Sequence, residues 1–221
     1  MQKICKIKLA RASGEITLHF TFYTLHSKSH TLYILHSTLI KNIMKIKTPL
    51  NKKDLQKLKP KQIVYLSGTI YTARDAAHKR LVELLENSTE KSKQSSEATS
   101  KLPFNLEGAV IYYTGPCPAK PGEVIGSCGP TTSARMDAYT PALLDAGVIA
   151  VIGKGSRDES VIKSLKKNKA TYFIAIGGCG AIYKNCVTSA EVIAFEDLGA
   201  EAIYKLEVKD MPLIVSVECK M

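Results

Sequence analysis

Three short segments of this sequence combine glycines, a hydroxyl cluster and a cation: residues 67–78 (SGTIYTARDAAH), 126–135 (GSCGPTTSAR) and 153–157 (GKGSR). In each, glycine opens the backbone before a helical stretch, and a cation stands close by: Arg74, Arg135, Lys154 or Arg157. Free amides at a helix start, the helix dipole and a bidentate guanidinium all favour an anion. The chemistry implied is recognition of a small, multiply anionic ligand through carboxylate or phosphate groups.

Each piece also has a plainer role. Thr131, Thr132 and Ser133 follow Pro130 and suit the N-cap of a helix. Arg74 beside Asp75 suits a structural ion pair, and Lys154 a solvated loop cation. His78 lies one helical turn after Arg74 and shares its face, which fits a packed imidazole as well as a catalytic one. The recurrence of three such loops is what favours a binding site. The six cysteines (Cys5, Cys117, Cys128, Cys179, Cys186, Cys219) contain no CxxC pair and no zinc-ribbon spacing. They read as reduced thiols of a cytoplasmic protein rather than as metal ligands of this chain or a disulfide framework.

The elements that must position these loops follow from hydrophobic periodicity. A short amphipathic turn at 54–58 precedes a strand from Gln62, Gly68 and a helix over 74–85. Residues 87–101 (NSTEKSKQSSEATSK) lack apolar periodicity and predict a mobile surface loop. Strand character returns at 106–113. Residues 114–130 hold four glycines and four prolines, too many for a regular element, and predict a long shaped loop. Then follow a helix over 131–145, a strand over 147–152, a helix over 158–167 and a strand over 171–176. This alternation predicts an α/β fold with a mostly parallel sheet, whose carboxyl edge gathers the three loops. Residues 202–208 and 213–217 alternate about Asp210-Met211-Pro212 and predict a closing antiparallel pair in a second, smaller sheet.

Among 221 residues, 31 Lys and Arg against 20 Asp and Glu give a net charge of +11. Residues 1–43 hold six of the basic residues, one acid and four of the five histidines. The rest of the chain shows no run of interleaved aromatic and basic residues, so nucleic-acid binding is not indicated. The longest stretch without a charged residue, 170–183, has 14 residues against the roughly 20 that a membrane span needs. Composition divides the chain into a leader, 1–43, and a body, 44–221. The leader is expected to be poorly ordered and outside the protein proper, with translation beginning at Met44.

At the loops the body resembles the β subunit, equivalent to the C-terminal domain, of the class I iron–sulfur hydro-lyases: class I fumarase and L(+)-tartrate dehydratase. The stretches LSGTIYTARDAAHKRL, IYYTGPCPAKPGEVIGSCGPTTSARMD, IGKGSR and EDLGAEAIYKLEVKDMPLIV carry it, from about residue 48 to 217. The resemblance implies a three-layer β/β/α swivelling domain that pairs with an α subunit carrying a [4Fe-4S] cluster on its own cysteines, in a higher αβ assembly. It implies that Arg74, Arg135 and Lys154 bind the carboxylates of a small dicarboxylate. Thr131 matches the residue that removes the C3 proton, while Thr132, Arg157 and His78 stand nearby with roles left open. The implied reaction is reversible hydration of fumarate to L-malate, or the same chemistry on L(+)-tartrate. A non-catalytic anion-binding or regulatory module is the alternative of a different class.

Overall fold

The computed structural model describes residues 4–12, 15–23, 33–36, 44–91 and 102–216. Residues 1–43 and 44–221 are two compact units. The first contains β1 (Ile4–Ala12), β2 (Glu15–Tyr23) and β3 (Tyr33–His36), paired antiparallel in that order.

The second begins with β4 (Met44–Lys47) and α1 (Lys52–Lys57), whose first turn is capped by the Asn51 side chain accepting from the Asp54 amide. There follow β5 (Ile63–Thr72), α2 (Asp75–Lys91), β6 (Val110–Tyr112), a 3-10 turn (Ser133–Met136) and α3 (Thr140–Asp145). Next come β7 (Ala150–Gly153), α4 (Glu159–Asn168), β8 (Thr171–Ile174) and α5 (Gly180–Cys186). The last described elements are β9 (Val187–Ala194), a second 3-10 turn (Glu196–Glu201) and β10 (Ile203–Val215).

The expected α/β fold with a mostly parallel sheet is present. Strands β4 to β8 run parallel, each beside the next, and β10 lies antiparallel to β8. Because β10 also pairs antiparallel with β5, the strands β5, β6, β7, β8 and β10 close into a five-stranded barrel. Strands β4 and β9 hang on its outside. Both faces of the closed sheet are covered, so the central strands are continuous apolar runs rather than alternating ones. Val64, Val110, Tyr112, Ile152 and Phe173 share one core. Ile111, Tyr113, Val151 and Tyr172, on the opposite face, pack with Leu81 of α2, Leu144 of α3 and Leu165 of α4.

Three expectations are corrected. The smaller second sheet does not form, because 203–215 is one continuous strand of the main sheet. Asp210, at φ 48°, makes a bulge instead of a turn, and its amide donates to Ser67 Oγ at 2.9 Å. One extra residue is absorbed there, and Met211, Leu213 and Val215 resume the buried pattern. The helix expected over 131–145 is broken into a 3-10 turn and α3, where Pro141 in the first turn has no amide to continue a ladder from upstream. Helix α2 runs to Lys91, past the predicted boundary of the polar loop; residues 92–101 lie outside the described residues.

Candidate functional site

The loops that leave β5, β6, β7 and β8 all emerge at one edge of the barrel. The longest, after β6, is built from its own backbone bonds. Cys117 and Ser127 pair across it, with the Cys117 amide 2.9 Å from the Ser127 carbonyl. The hydroxyl of Tyr112 donates to the Cys128 carbonyl at 2.6 Å, and Thr114 Oγ1 to the Gly129 carbonyl at 2.8 Å. An ion pair between Lys184 of α5 and Glu123 at 2.5 Å ties the outer part of the loop down. These bonds satisfy the irregular backbone and return the chain to the strand edge it left.

There the Thr131 amide donates to the Tyr113 carbonyl at 2.8 Å, and Thr132 bridges to Lys154 as a fragment of parallel strand. The Lys154 amide donates to the Thr131 carbonyl at 3.3 Å and the Ser133 amide to the Lys154 carbonyl at 2.9 Å. Two of the sequence segments are thereby fused: Thr131, Thr132 and Lys154 stand side by side just beyond β6 and β7. The Lys154 side chain runs over Gly177, where a Cβ would lie 3.4 Å from its Cδ. Arg135 follows in the 3-10 turn and is exposed. No carboxylate among the described residues makes an ion pair with Arg135 or Lys154.

Arg74, at the entry to α2, is differently placed. Its Nη2 lies 3.3 Å from Asp75 Oδ2 and 3.2 Å from Glu201 Oε1, with about a quarter of the side chain exposed. The ion pair with Asp75 that the sequence allowed is therefore made, and a second carboxylate joins it. Arg74 Nε is buried without a hydrogen-bond partner among the described residues.

His78 and Arg157 are interior groups. His78 is fully buried, and its Nδ1 donates to the Arg74 carbonyl at 2.9 Å, which leaves Nε2 as a bare, unpartnered lone pair. Burial pulls its pKa down to about 4, opposed by the Arg74 carbonyl and assisted by the Arg157 charge. The imidazole is neutral at pH 7. Arg157 has no exposed side-chain area: Nε meets Asp137 Oδ1 at 2.7 Å, Nη2 meets Thr140 Oγ1 at 2.7 Å, and the guanidinium lies 5.2 Å from both the Tyr113 and Tyr172 ring centroids. It fastens the start of α3 and, through Asp137 Oδ2 accepting the Asp158 amide at 2.9 Å, the start of α4.

Cys117 is exposed, Cys179 and Cys186 are half-buried, and Cys128 is buried with its thiol pushed up to about 12 by desolvation. Among the described residues no three His, Cys, Asp or Glu side chains converge as a metal set. No helix among them is long and apolar enough to cross a membrane. Sequence reasoning missed Glu201, Asp137 and the two tyrosine rings, since ion pairs that join distant loops leave no spacing signal.

A family model described as the fumarase C-terminus matches residues 28–220. Over 175 residues the chain is 38% identical to a protein of Methanocaldococcus jannaschii provisionally named L(+)-tartrate dehydratase subunit beta, covering 76% of this chain and 84% of that one. The L(+)-tartrate dehydratase subunit beta of Escherichia coli K12 is 32% identical over 176 residues, 77% of this chain and 81% of its own. The aerobic class I fumarate hydratase of the same bacterium is 36% identical over 157 residues, 70% of this chain but only 27% of that protein.

Proposed function

The chain belongs to the fumarase C-terminus family, and from that membership we propose that it is the β subunit of a class I iron–sulfur fumarate hydratase, interconverting fumarate and L-malate with a separate α subunit. The observation that carries this reading is the pair Arg135 and Lys154, two cations without a carboxylate partner among the described residues, beside Thr131 at the open edge of the barrel. Arg74 adds a third cation with donors to spare. Three cations suit a dianion, and holding both carboxylates fixes the carbon chain between them.

In the dehydration direction, a base takes the C3 proton while the C2 hydroxyl leaves, and the C3–H electron pair becomes the double bond. Thr131 is our candidate for the proton transfer. Its hydroxyl is a weak base, so the partner must supply a neighbouring group that activates it. His78 is too deeply buried for that exchange, and Arg157 is committed to Asp137; we assign both to holding the site's scaffold, with Thr132 lining the edge next to Thr131.

A [4Fe-4S] cluster, when bound, supplies Lewis-acid chemistry at the substrate hydroxyl. The thiols described here do not fit it, being separated and partly buried without a converging set. We place the cluster on the α subunit. We read residues 44–221 as a swivelling domain moving against that subunit in a cytoplasmic αβ assembly, with 1–43 outside the working unit.

L(+)-tartrate is the second candidate substrate. The observation favouring it is one of length: the chain spans 84% and 81% of the two tartrate dehydratase β chains but 27% of the aerobic class I fumarate hydratase. The test is anaerobic turnover of malate and of tartrate by this chain mixed with the α subunit of its organism, with Arg135→Ala beside it. Activity only in the mixture, lost in Arg135→Ala with the fold intact, is expected, and relative rates name the substrate. More than a tenth of wild-type activity in Arg135→Ala removes that residue from the site; silence on both substrates by a stable, cluster-bearing complex refutes the reaction.

A further inference from the structure

Among the described residues, Arg74 is the one proposed substrate cation held by an ion pair with a side chain from elsewhere in the fold. Glu201 does this with both oxygens: Oε1 lies 3.2 Å from Arg74 Nη2, and Oε2 accepts the Ala76 amide at 3.0 Å in the first turn of α2. Arginine carries five N–H donors in a rigid fork. Both carboxylate contacts fall on Nη2, while Nη1 and Nε have no partner among the described residues.

Glu201 is itself fixed. The turn Glu196–Glu201 is held to α2 at its other end by Arg80, whose Nη1 and Nη2 meet Asp197 at 2.8 and 2.6 Å. Beyond it, Thr72 Oγ1 donates to the Ala202 carbonyl at 3.3 Å and accepts the Tyr204 amide at 3.0 Å. Gly115 closes the arrangement from the β6 loop: a Cβ there would lie 2.9 Å from the Ala200 carbonyl oxygen, 2.9 Å from Arg74 Cδ and 3.1 Å from Nη1. Three segments far apart in sequence thus converge on one guanidinium.

We propose that Glu201 is a positioning residue for substrate binding: it anchors Arg74 through Nη2 and the start of α2 through Ala76, leaving the Nη1 donors preset for a substrate carboxylate. The inference rests on the reading of Arg74 as a substrate cation given above. An arginine already held in one rotamer surrenders less freedom when its ligand arrives than a free one does.

Charge and positioning act with opposite signs here, which makes the role measurable. Glu201 places a negative charge beside a site for a dianion, so removing that charge without moving Arg74 would lower KM. Losing the anchor would raise it. Glu201→Gln keeps an oxygen to accept the Ala76 amide while losing the ionic hold on Arg74.

The test compares wild type, Glu201→Gln, Arg74→Ala and the double variant, each as the full chain assembled with the α subunit. We expect KM for the turned-over diacid to rise about tenfold in Glu201→Gln, the loss of one charge-assisted hydrogen bond. The change in kcat should be smaller, and Glu201→Gln should have no further effect once Arg74 is alanine. A second readout needs no activity: in the full chain alone, the Arg74 Nε–H resonance, identified by its absence in Arg74→Ala, should exchange with solvent at least about tenfold faster in Glu201→Gln. Glu201→Asp, charged but one methylene short, should fall between the two and serves if the glutamine variant folds poorly. An unchanged or lowered KM in Glu201→Gln, while Arg74→Ala raises it, overturns the positioning role and leaves the functional reading standing. An Arg74→Ala enzyme with normal KM, in which Nε–H exchange still answers to Glu201, overturns the substrate role of Arg74 instead.

Discussion

The neutral, buried His78 should make the protein acid-labile by an amount that can be worked out beforehand. Its pKa is held at about 4 in the fold against an ordinary value of 6.5, chiefly by desolvation. Between those values the unfolded chain binds a proton that the folded chain refuses, so stability rises with pH and is lost as pH falls below about 6.5. Each pH unit crossed in that window is worth about 1.4 kcal/mol, so the single group costs about 2 kcal/mol between pH 7 and pH 5 and about 3 kcal/mol by pH 4. The charged groups facing the imidazole divide: Arg157 disfavours the imidazolium, and Asp75 favours it less strongly than burial opposes it. The assay is urea unfolding of the full chain at half-unit steps from pH 7.5 to 4.5, for wild type and for His78→Gln, which cannot titrate. The four histidines of residues 1–43 and the surface carboxylates are common to both proteins, so the difference curve isolates His78. A difference flat within about 0.5 kcal/mol across that range would mean that the imidazole titrates normally and is reached by solvent.

Two further outcomes are expected. Asp137→Ala should cost about 3–5 kcal/mol in urea unfolding, since it strands the Arg157 charge with no exposed side-chain area; a loss under about 1 kcal/mol would show that the Tyr113 and Tyr172 rings suffice to hold the guanidinium. Deleting residues 1–43 should leave both the melting temperature and the turnover of the assembled enzyme unchanged, and a stability loss above about 1 kcal/mol would show that they pack on the domain.

Most of the parallel layer was legible because burial on both faces writes unbroken apolar runs, as in Val110–Tyr112 and Ala150–Gly153, between glycine-rich breaks. The barrel was not. The chain at Asp210-Met211-Pro212 carries the residues of a turn, and local propensity alone divides the strand there. What overrides it is tertiary: Ser67 Oγ takes the Asp210 amide, and Pro212, which has no amide to give, still fits opposite Tyr65. A bulge and a turn use the same residue types, and only the partner strand decides between them.

The same division runs through the site. Thr131, Thr132, Arg135 and Lys154 could be picked out because loops that follow parallel strands meet at one edge, so sequence order is enough to bring them together. Arg74 and Arg157 carried the same local signature and have different surroundings. Arg157 sits between two tyrosine rings and Asp137, and Arg74 is shared by Asp75 and Glu201. Glu201 reaches Arg74 only because β10 closes against β5, bringing the turn before it onto the start of α2. The strand that the sequence pattern divided in two is therefore the one that delivers the carboxylate to the arginine. Without that closure Arg74 would keep only its neighbour Asp75 as an ionic partner, and the ordering of that one side chain measures whether the barrel's last strand contributes to binding as well as to the fold.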